Sequence, residues 1–365
     1  MIKFLDLVSQ YQSIRGDIDR AIATVISEAA FVGGRHVAAF ERQFAEYAGA
    51  KHCIGAANGT DALEVAIEAA ALPPGSEIIV PGNSFIASSE AVTRGGHRVV
   101  FADVDPGCYT LDIESVRRHL TPRTKAIVAV HLYGHPCDMD PLMALAREHG
   151  LVVIEDCAQA HGAEYRGRRI GGIGHLACFS FYPGKNLGAY GDAGAITTQS
   201  DDLARQCRMI ANHGRIAKYD HEFEGRSSRL DGLQAAVLSA KLPHLEAWTQ
   251  QRIAIADHYL KKLAGVGDLA LPVRQPWARQ VYHLFVVRTA RRDALKAFLG
   301  EQGIDSGIHY PIALPKLNAY RYLGEPDPQA FYNRTDSTLL SLPIGEHLSL
   351  EQAHTVVKAV RGFFG

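Results

Sequence analysis

The sequence predicts an α/β fold built on a mainly parallel sheet, and three observations predict it. Short apolar runs recur between residues 53 and 198, amphipathic helical stretches separate several of them, and the runs are apolar throughout rather than alternating. Strands of that kind are covered by helices on both faces. The strands are expected at residues 53–57, 77–81, 98–102, 126–131, 151–155, 177–181 and 193–197. Helices are expected at 61–71, where Leu63, Ile67 and Ala70 share a side, and at 84–94, 113–119 and 139–149. Beyond Arg229 a long helical stretch, 231–262, carries Leu233, Ala236, Val237, Ala240 and Leu245, and Pro243 should break or kink it. A strand at 281–288, a helix at 292–301 and a last helix opened by the capping box Ser349-Leu350-Glu351-Gln352 complete the chain. A large domain, 1–245, and a smaller C-terminal α+β domain, 246–365, are the expected division.

The chain has 365 residues, 47% hydrophobic and 21% charged, with a formal net charge of −1. That is the profile of an ordinary soluble protein with a sizeable core. With a pI near 7.0 there is no long-range attraction to nucleic acid or to acidic membranes, so any anionic substrate must be held by locally placed cations. The six cysteines, Cys53, Cys108, Cys137, Cys157, Cys178 and Cys207, show no CxxC pairing and sit mostly in apolar runs. They read as buried reduced thiols, and with an N-terminus that turns polar within a few residues they point to a cytoplasmic protein.

Chemistry is carried by three segments. In Ala57-Asn58-Gly59-Thr60-Asp61 a strand gives way to a helix. Gly59 permits a tight turn, and the free N–H groups of the new helix with the Thr60 hydroxyl suit a phosphate, although a plain capped helix start reads the same way. In Ile154-Glu155-Asp156-Cys157-Ala158-Gln159-Ala160-His161 the acidic pair ends a strand, so Asp156 faces the crevice at the carboxyl ends of the sheet. His161 reads as a satisfied core histidine. In Ser180-Phe181-Tyr182-Pro183-Gly184-Lys185-Asn186-Leu187-Gly188 a lysine lies on a glycine-flanked turn between two strands, unlike an ordinary surface lysine. A lysine amine that condenses with an aldehyde, and a carboxylate that keeps a pyridine nitrogen protonated, are what pyridoxal 5'-phosphate (PLP) requires.

These segments together resemble the DegT/DnrJ/StrS family of PLP-dependent nucleotide-sugar aminotransferases, of the aspartate aminotransferase fold type I. Phe31-Val32-Gly33-Gly34, Arg229-Leu230-Asp231-Gly232-Leu233-Gln234 and His309-Tyr310-Pro311-Ile312 extend the resemblance over nearly the whole chain. The resemblance implies that Lys185 captures the cofactor aldehyde, that Asp156 pairs with the ring nitrogen, and that Gln159 lies near the ring oxygen. It further implies that Gly59, Thr60 and Ser180 bind the phosphate and that Phe85 stacks on the ring. Family members commonly carry an asparagine, reaching the neighbouring subunit's cofactor phosphate, where this chain has Ser227. A homodimer with active sites at the subunit interface is therefore expected, with a shorter cross-subunit contact.

The implied reaction moves an amino group from L-glutamate to a nucleotide-linked ketosugar, with Lys185 shuttling protons. Members acting at C4 often have histidine where this chain has Tyr182, whereas Tyr182-Pro183 followed by Gly188-Ala189-Tyr190-Gly191-Asp192 resembles members acting at C3. The substrate expected is a dTDP-3-keto-6-deoxyhexose, touched by Tyr182, His309 and Tyr310, with its diphosphate held by Lys218 or Arg226 from the partner subunit. The alternatives are a C4 aminotransferase on a dTDP- or UDP-4-keto sugar and a non-catalytic PLP-fold regulatory protein. Lys185 itself argues against a dehydratase of this fold, since such enzymes resemble the same pattern with histidine in its place. His131, His135 and Cys137 have zinc-like spacing but no evident fourth ligand, and Arg169-Ile170-Gly171-Gly172-Ile173-Gly174 precedes a strand where a dinucleotide turn would precede a helix.

Overall fold

The computed structural model describes residues 1–365. Seven strands form the central sheet: β1 (His52–Ala56), β2 (Glu77–Pro81), β3 (Arg98–Ala102), β4 (Thr124–Val130), β5 (Val152–Asp156), β6 (Leu176–Ser180) and β7 (Gly194–Thr198). Their order is β1-β7-β6-β5-β4-β2-β3. All run parallel except β7, which pairs antiparallel with both β1 and β6. Every strand predicted for this sheet is present within two residues of its expected ends, because fully apolar runs have only one low-energy place, between two helical layers.

Alternate residues feed opposite layers. Ile78, Val80, Val128, Val130 and Ile154 join one apolar cluster, while Ile79, Ile127, Ala129 and Val153 join the other. Helix α1 (Leu7–Ser13), α2 (Arg15–Ser27) and α3 (Gly34–Ala48) precede the sheet; α4 (Gly59–Ala69), α5 (Ala87–Arg94), α6 (Ile113–Arg118), α7 (Met139–His149) and α8 (Asp201–Ile210) follow individual strands. Asn58 caps α4 by accepting from the Asp61 N–H at 2.8 Å. The helix expected from residue 84 starts later, at Ala87, leaving Asn83 to Ile86 as a turn that presents Phe85.

The long helical stretch is broken where Pro243 lies: α9 (Gly232–Lys241), a 3-10 turn (Leu242–His244) and α10 (Leu245–Leu263). The strand expected at 281–288 is confined to β8 (Phe285–Arg288), paired with β9 (Leu339–Leu342). It begins late because Tyr282 has a left-handed φ of 46°, and the Val281 carbonyl accepts from Asn186 rather than from a strand. With α11 (Arg292–Glu301) and α12 (Leu350–Phe364), these strands enclose a third apolar cluster containing Tyr259, Phe285, Val287, Leu340 and Val356. The capping box at Ser349 is present, each side chain bonding the other residue's backbone N–H.

Candidate active site

At the carboxyl ends of β1, β4, β5 and β6 lies a cavity of about 610 Å³. This is where a sheet of this topology leaves a crevice for ligands. Gly59, Thr60, Phe85, Asp156, Gln159 and Ser180 line it, and so do Tyr182, Lys185 and Tyr310. Nine of the expected site residues thus come together from segments far apart in the sequence.

Asp156 ends β5 and is 5% exposed. Its Oδ2 accepts from the Ser88 hydroxyl at 2.7 Å and its Oδ1 from the Ala158 N–H at 3.1 Å, which fixes a buried carboxylate in one orientation. The preceding carboxylate points the other way. Glu155 accepts from the backbone N–H groups of Gly171 (3.0 Å), Ile173 (2.9 Å) and Gly174 (2.7 Å) and pairs with His131 at 3.0 Å. Burial pushes its carboxyl up, but His131 and those N–H groups outweigh it and hold it below its usual value. The glycine-rich segment 169–174 is therefore a nest for Glu155. His131 receives the Cys137 N–H on Nδ1, and His135 bonds Pro136 O and Gln275 N–H, so both rings of the zinc-like motif have other partners.

Lys185 sits half-buried on a turn closed by its own N–H to Tyr182 O and by Ala189 N–H to Phe181 O, both 2.8 Å. Burial lowers its pKa to about 8, against the opposing pull of the Asp156 charge. Far more of the amine than in an ordinary lysine is therefore free base near neutral pH, as condensation with an aldehyde requires. A Cβ placed on Gly59 would lie 2.6 Å from Ser180 Cβ, so only glycine lets the start of α4 approach β6. The N–H groups of that helix start, with the Thr60 and Ser180 hydroxyls, make an anion cradle opposite the carboxylate. Phe85 is 54% exposed, and its ring stands 5.8 Å from that of Tyr310. A buried carboxylate, a depressed lysine, a phosphate cradle and an exposed aromatic face fit PLP. The bound cofactor supplies an electron-accepting ring to the carbon next to the transferred nitrogen.

The remaining expected residues lie outside this cavity within the chain. His309 is held by Ser341, Nδ1 to Oγ at 2.8 Å, and stacks on Phe4. Lys218 is exposed on a hairpin beside Tyr219. Ser227 receives a bond from Arg229 at 2.9 Å. Arg226 pairs with Glu64 and Glu68 on α4, so its charge is already balanced by its own chain. His161 is in the core against Phe179 and Phe181, as expected, but neither ring nitrogen has a hydrogen-bond partner; burial first, then Lys185, lowers its pKa to about 3, so it stays neutral. Sequence reasoning missed Ser88 and Tyr133. Ser88 stands one helical turn beyond Phe85, a spacing that would have marked it once the start of α5 was known.

A family model described as the DegT/DnrJ/EryC1/StrS aminotransferase family matches residues 12–361. The chain belongs to this family. As a member it is a PLP-dependent aminotransferase of fold type I. It is 46% identical to the dTDP-3-amino-3,4,6-trideoxy-alpha-D-glucose transaminase of Streptomyces venezuelae, over 99% of this chain and 95% of that protein. It is 42% identical to a pleiotropic regulatory protein of Geobacillus stearothermophilus, over 100% of this chain and 98% of that one. The crystal structure of S. venezuelae DesV in complex with a ketimine intermediate superposes with a TM-score of 0.97 at 45% identity, covering 99% of this chain and 98% of DesV.

Proposed function

We propose that this aminotransferase moves an amino group from L-glutamate to C3 of a dTDP-linked 3-keto-6-deoxyhexose. The observation that carries the chemistry is Lys185 and Asp156 in one cavity, the amine with a depressed pKa and the carboxylate locked by Ser88 and Ala158. Sugar position is supported by Tyr182, which stands 60% exposed at the cavity mouth where C4 members resemble a histidine pattern. It is supported too by the Streptomyces relative, whose name carries a 3-amino sugar on dTDP.

In this reading Lys185 holds the cofactor and moves protons at the substrate carbon, and Asp156 keeps a positive charge on the cofactor ring. Gly59, Thr60 and Ser180 bind phosphate, Phe85 covers one ring face, and Gln159 donates to the ring oxygen. Tyr182, His309 and Tyr310 meet the sugar. The partner subunit of a homodimer brings its Lys218 and Ser227 to the site; its Arg226 joins them only if the Glu64 and Glu68 pairs open. Domains at 1–245 and 246–365 enclose the cavity, supported by the separate apolar cluster around Tyr259 and Phe285. A cytoplasmic location fits six free, buried cysteines.

The regulatory name of the Geobacillus relative favours a second reading, a PLP protein without turnover. Incubation of the purified protein with glutamate and a panel of dTDP- and UDP-linked 3-keto and 4-keto sugars, with products identified by mass spectrometry and NMR, decides among these. A 3-amino dTDP sugar is expected. A 4-amino product would move the assignment to C4, and no product from any sugar would favour the regulator.

A further inference from the structure

Tyr133 is a buried tyrosine with a left-handed backbone, φ 57° and ψ 11°, in the turn that follows β4. Such a conformation is unfavourable for any residue with a Cβ and persists only where surrounding contacts enforce it. Two contacts do so. The Tyr133 N–H meets the side-chain amide of Gln159 at 2.7 Å, and the Tyr133 hydroxyl donates to the His309 carbonyl at 2.5 Å. The ring is wedged edge-on against Tyr109, 5.5 Å between centroids, and Tyr109 is itself bonded by Arg288 at 3.1 Å.

A backbone N–H can only donate, so the Gln159 atom facing Tyr133 must be Oε1. The amide nitrogen is thereby turned the other way, where it donates to the Tyr310 hydroxyl at 3.0 Å. Because that hydroxyl accepts from Gln159, its own proton is left to point elsewhere, and Tyr310 and Gln159 both line the cavity. His309, whose carbonyl Tyr133 holds, is the residue before Tyr310, so hydrogen bonds close a ring through all four residues.

We propose that Tyr133 is a positioning residue that fixes Gln159 and Tyr310 as a pair of hydrogen-bond donors aimed at an anionic oxygen on the bound ring. The proposal rests on PLP occupying the cavity with its ring oxygen beside Gln159. Donors aimed at that oxygen favour its anionic form, and loosening them makes loss of the bound chromophore's proton harder.

Tyr133→Phe removes only the hydroxyl and keeps the ring wedge. In this variant, the pH midpoint of the bound cofactor's absorbance change should rise by roughly half a unit or more, and the cofactor should bind about three- to tenfold more weakly. Tyr310→Phe should shift the midpoint in the same direction. The double variant should shift no further than Tyr310→Phe alone, because the Tyr133 hydroxyl acts on Tyr310 through the His309 carbonyl. A wild-type midpoint in Tyr133→Phe, or fully additive shifts, would overturn the proposal. Should Tyr133→Phe not fold, Tyr133→Asn, a residue at ease with positive φ, is titrated against the same two outcomes. A wild-type protein that binds no chromophore at all would instead overturn the cofactor placement on which the proposal rests.

Discussion

Two lysines whose pKa the fold lowers have opposite employment in this chain. Burial lowers the pKa of Lys185 and of Lys241 alike, each to about 8, with a carboxylate pulling weakly the other way: Asp156 for the first, Glu346 for the second. Lys241 is fully buried, and its ammonium donates to Gln10 Oε1 and to the Gly188 carbonyl, both at 2.8 Å, with the Tyr190 ring 4.3 Å away. For Lys185 only burial and the Asp156 charge act, with no hydrogen bond. A depressed pKa therefore does not make a nucleophile; a lone pair that nothing else in the fold uses does. The two are also coupled, because Gly188 belongs to the turn that carries Lys185. Lys241 holds from behind what Lys185 uses in front.

The sharpest way to break this comparison is chemical. Lys185→Ala should lower amino transfer by at least about a thousandfold, the loss of both covalent capture and proton transfer. Borohydride trapping and peptide mapping should find cofactor on residue 185 in the wild type and in Lys241→Met. Cofactor trapped on residue 241 would invert the assignment. Next in size is Asp156→Asn, which keeps the shape and removes the charge beside the ring. Transfer should fall by roughly a hundredfold with cofactor still bound, since the lost stabilisation is on the order of a salt-bridged proton; a variant retaining full activity would exclude Asp156 from the ring nitrogen.

Lys241→Met tests the structural half. It leaves the Gly188 carbonyl and Gln10 Oε1 without their donor and should destabilise the fold by about 1–3 kcal/mol. The pH dependence has a definite sign. With its pKa lowered in the fold to about 8 from the ordinary lysine value of 10.5, Lys241 is protonated in the unfolded chain and increasingly neutral in the folded one between those values. Its contribution to stability is therefore complete above the upper value and lost as pH falls through the lower one. The denaturant midpoint gap between wild type and Lys241→Met should widen on raising the pH from about 8 to about 10, the Lys185 contribution being common to both. A gap independent of pH would mean that Lys241 is not a buried titrating group.

The sheet was legible because its strands are apolar on both faces, and position along an α/β chain then fixes which end holds the site. Asp156 and Gly59 were legible for the same reason: one ends a strand, the other opens a helix, and topology gathers such ends; Lys185 was legible from the glycines around its turn. Contacts made by polar side chains across the sheet were not. Nothing in the sequence tells that Arg226 meets Glu64 and Glu68, or that Glu155 turns away from Asp156 into the 169–174 nest, because those choices depend on distances set by the whole fold. Tyr133 was hidden for a further reason. A tyrosine in the left-handed region contradicts its own local preference, and only the ring of contacts around Gln159 explains it.

The smallest effect expected is the finest probe of that legibility gap. Ser88 donates to Asp156 Oδ2, so the 2.7 Å contact between Ser84 and Ser88 must run from Ser84 to Ser88, a relay of hydroxyls ending on the carboxylate. Ser88→Ala leaves Asp156 with the Ala158 N–H alone, free to swing about that single bond. The loss of one hydrogen bond to a charge should weaken cofactor binding and transfer about five- to tenfold. Ser84→Ala, which removes only the outer donor, should cost less than Ser88→Ala in the same assays. If Ser88→Ala lowers the melting temperature of the apoprotein yet leaves cofactor affinity and turnover untouched, the relay serves packing of α5 and Asp156 needs no help to face the ring.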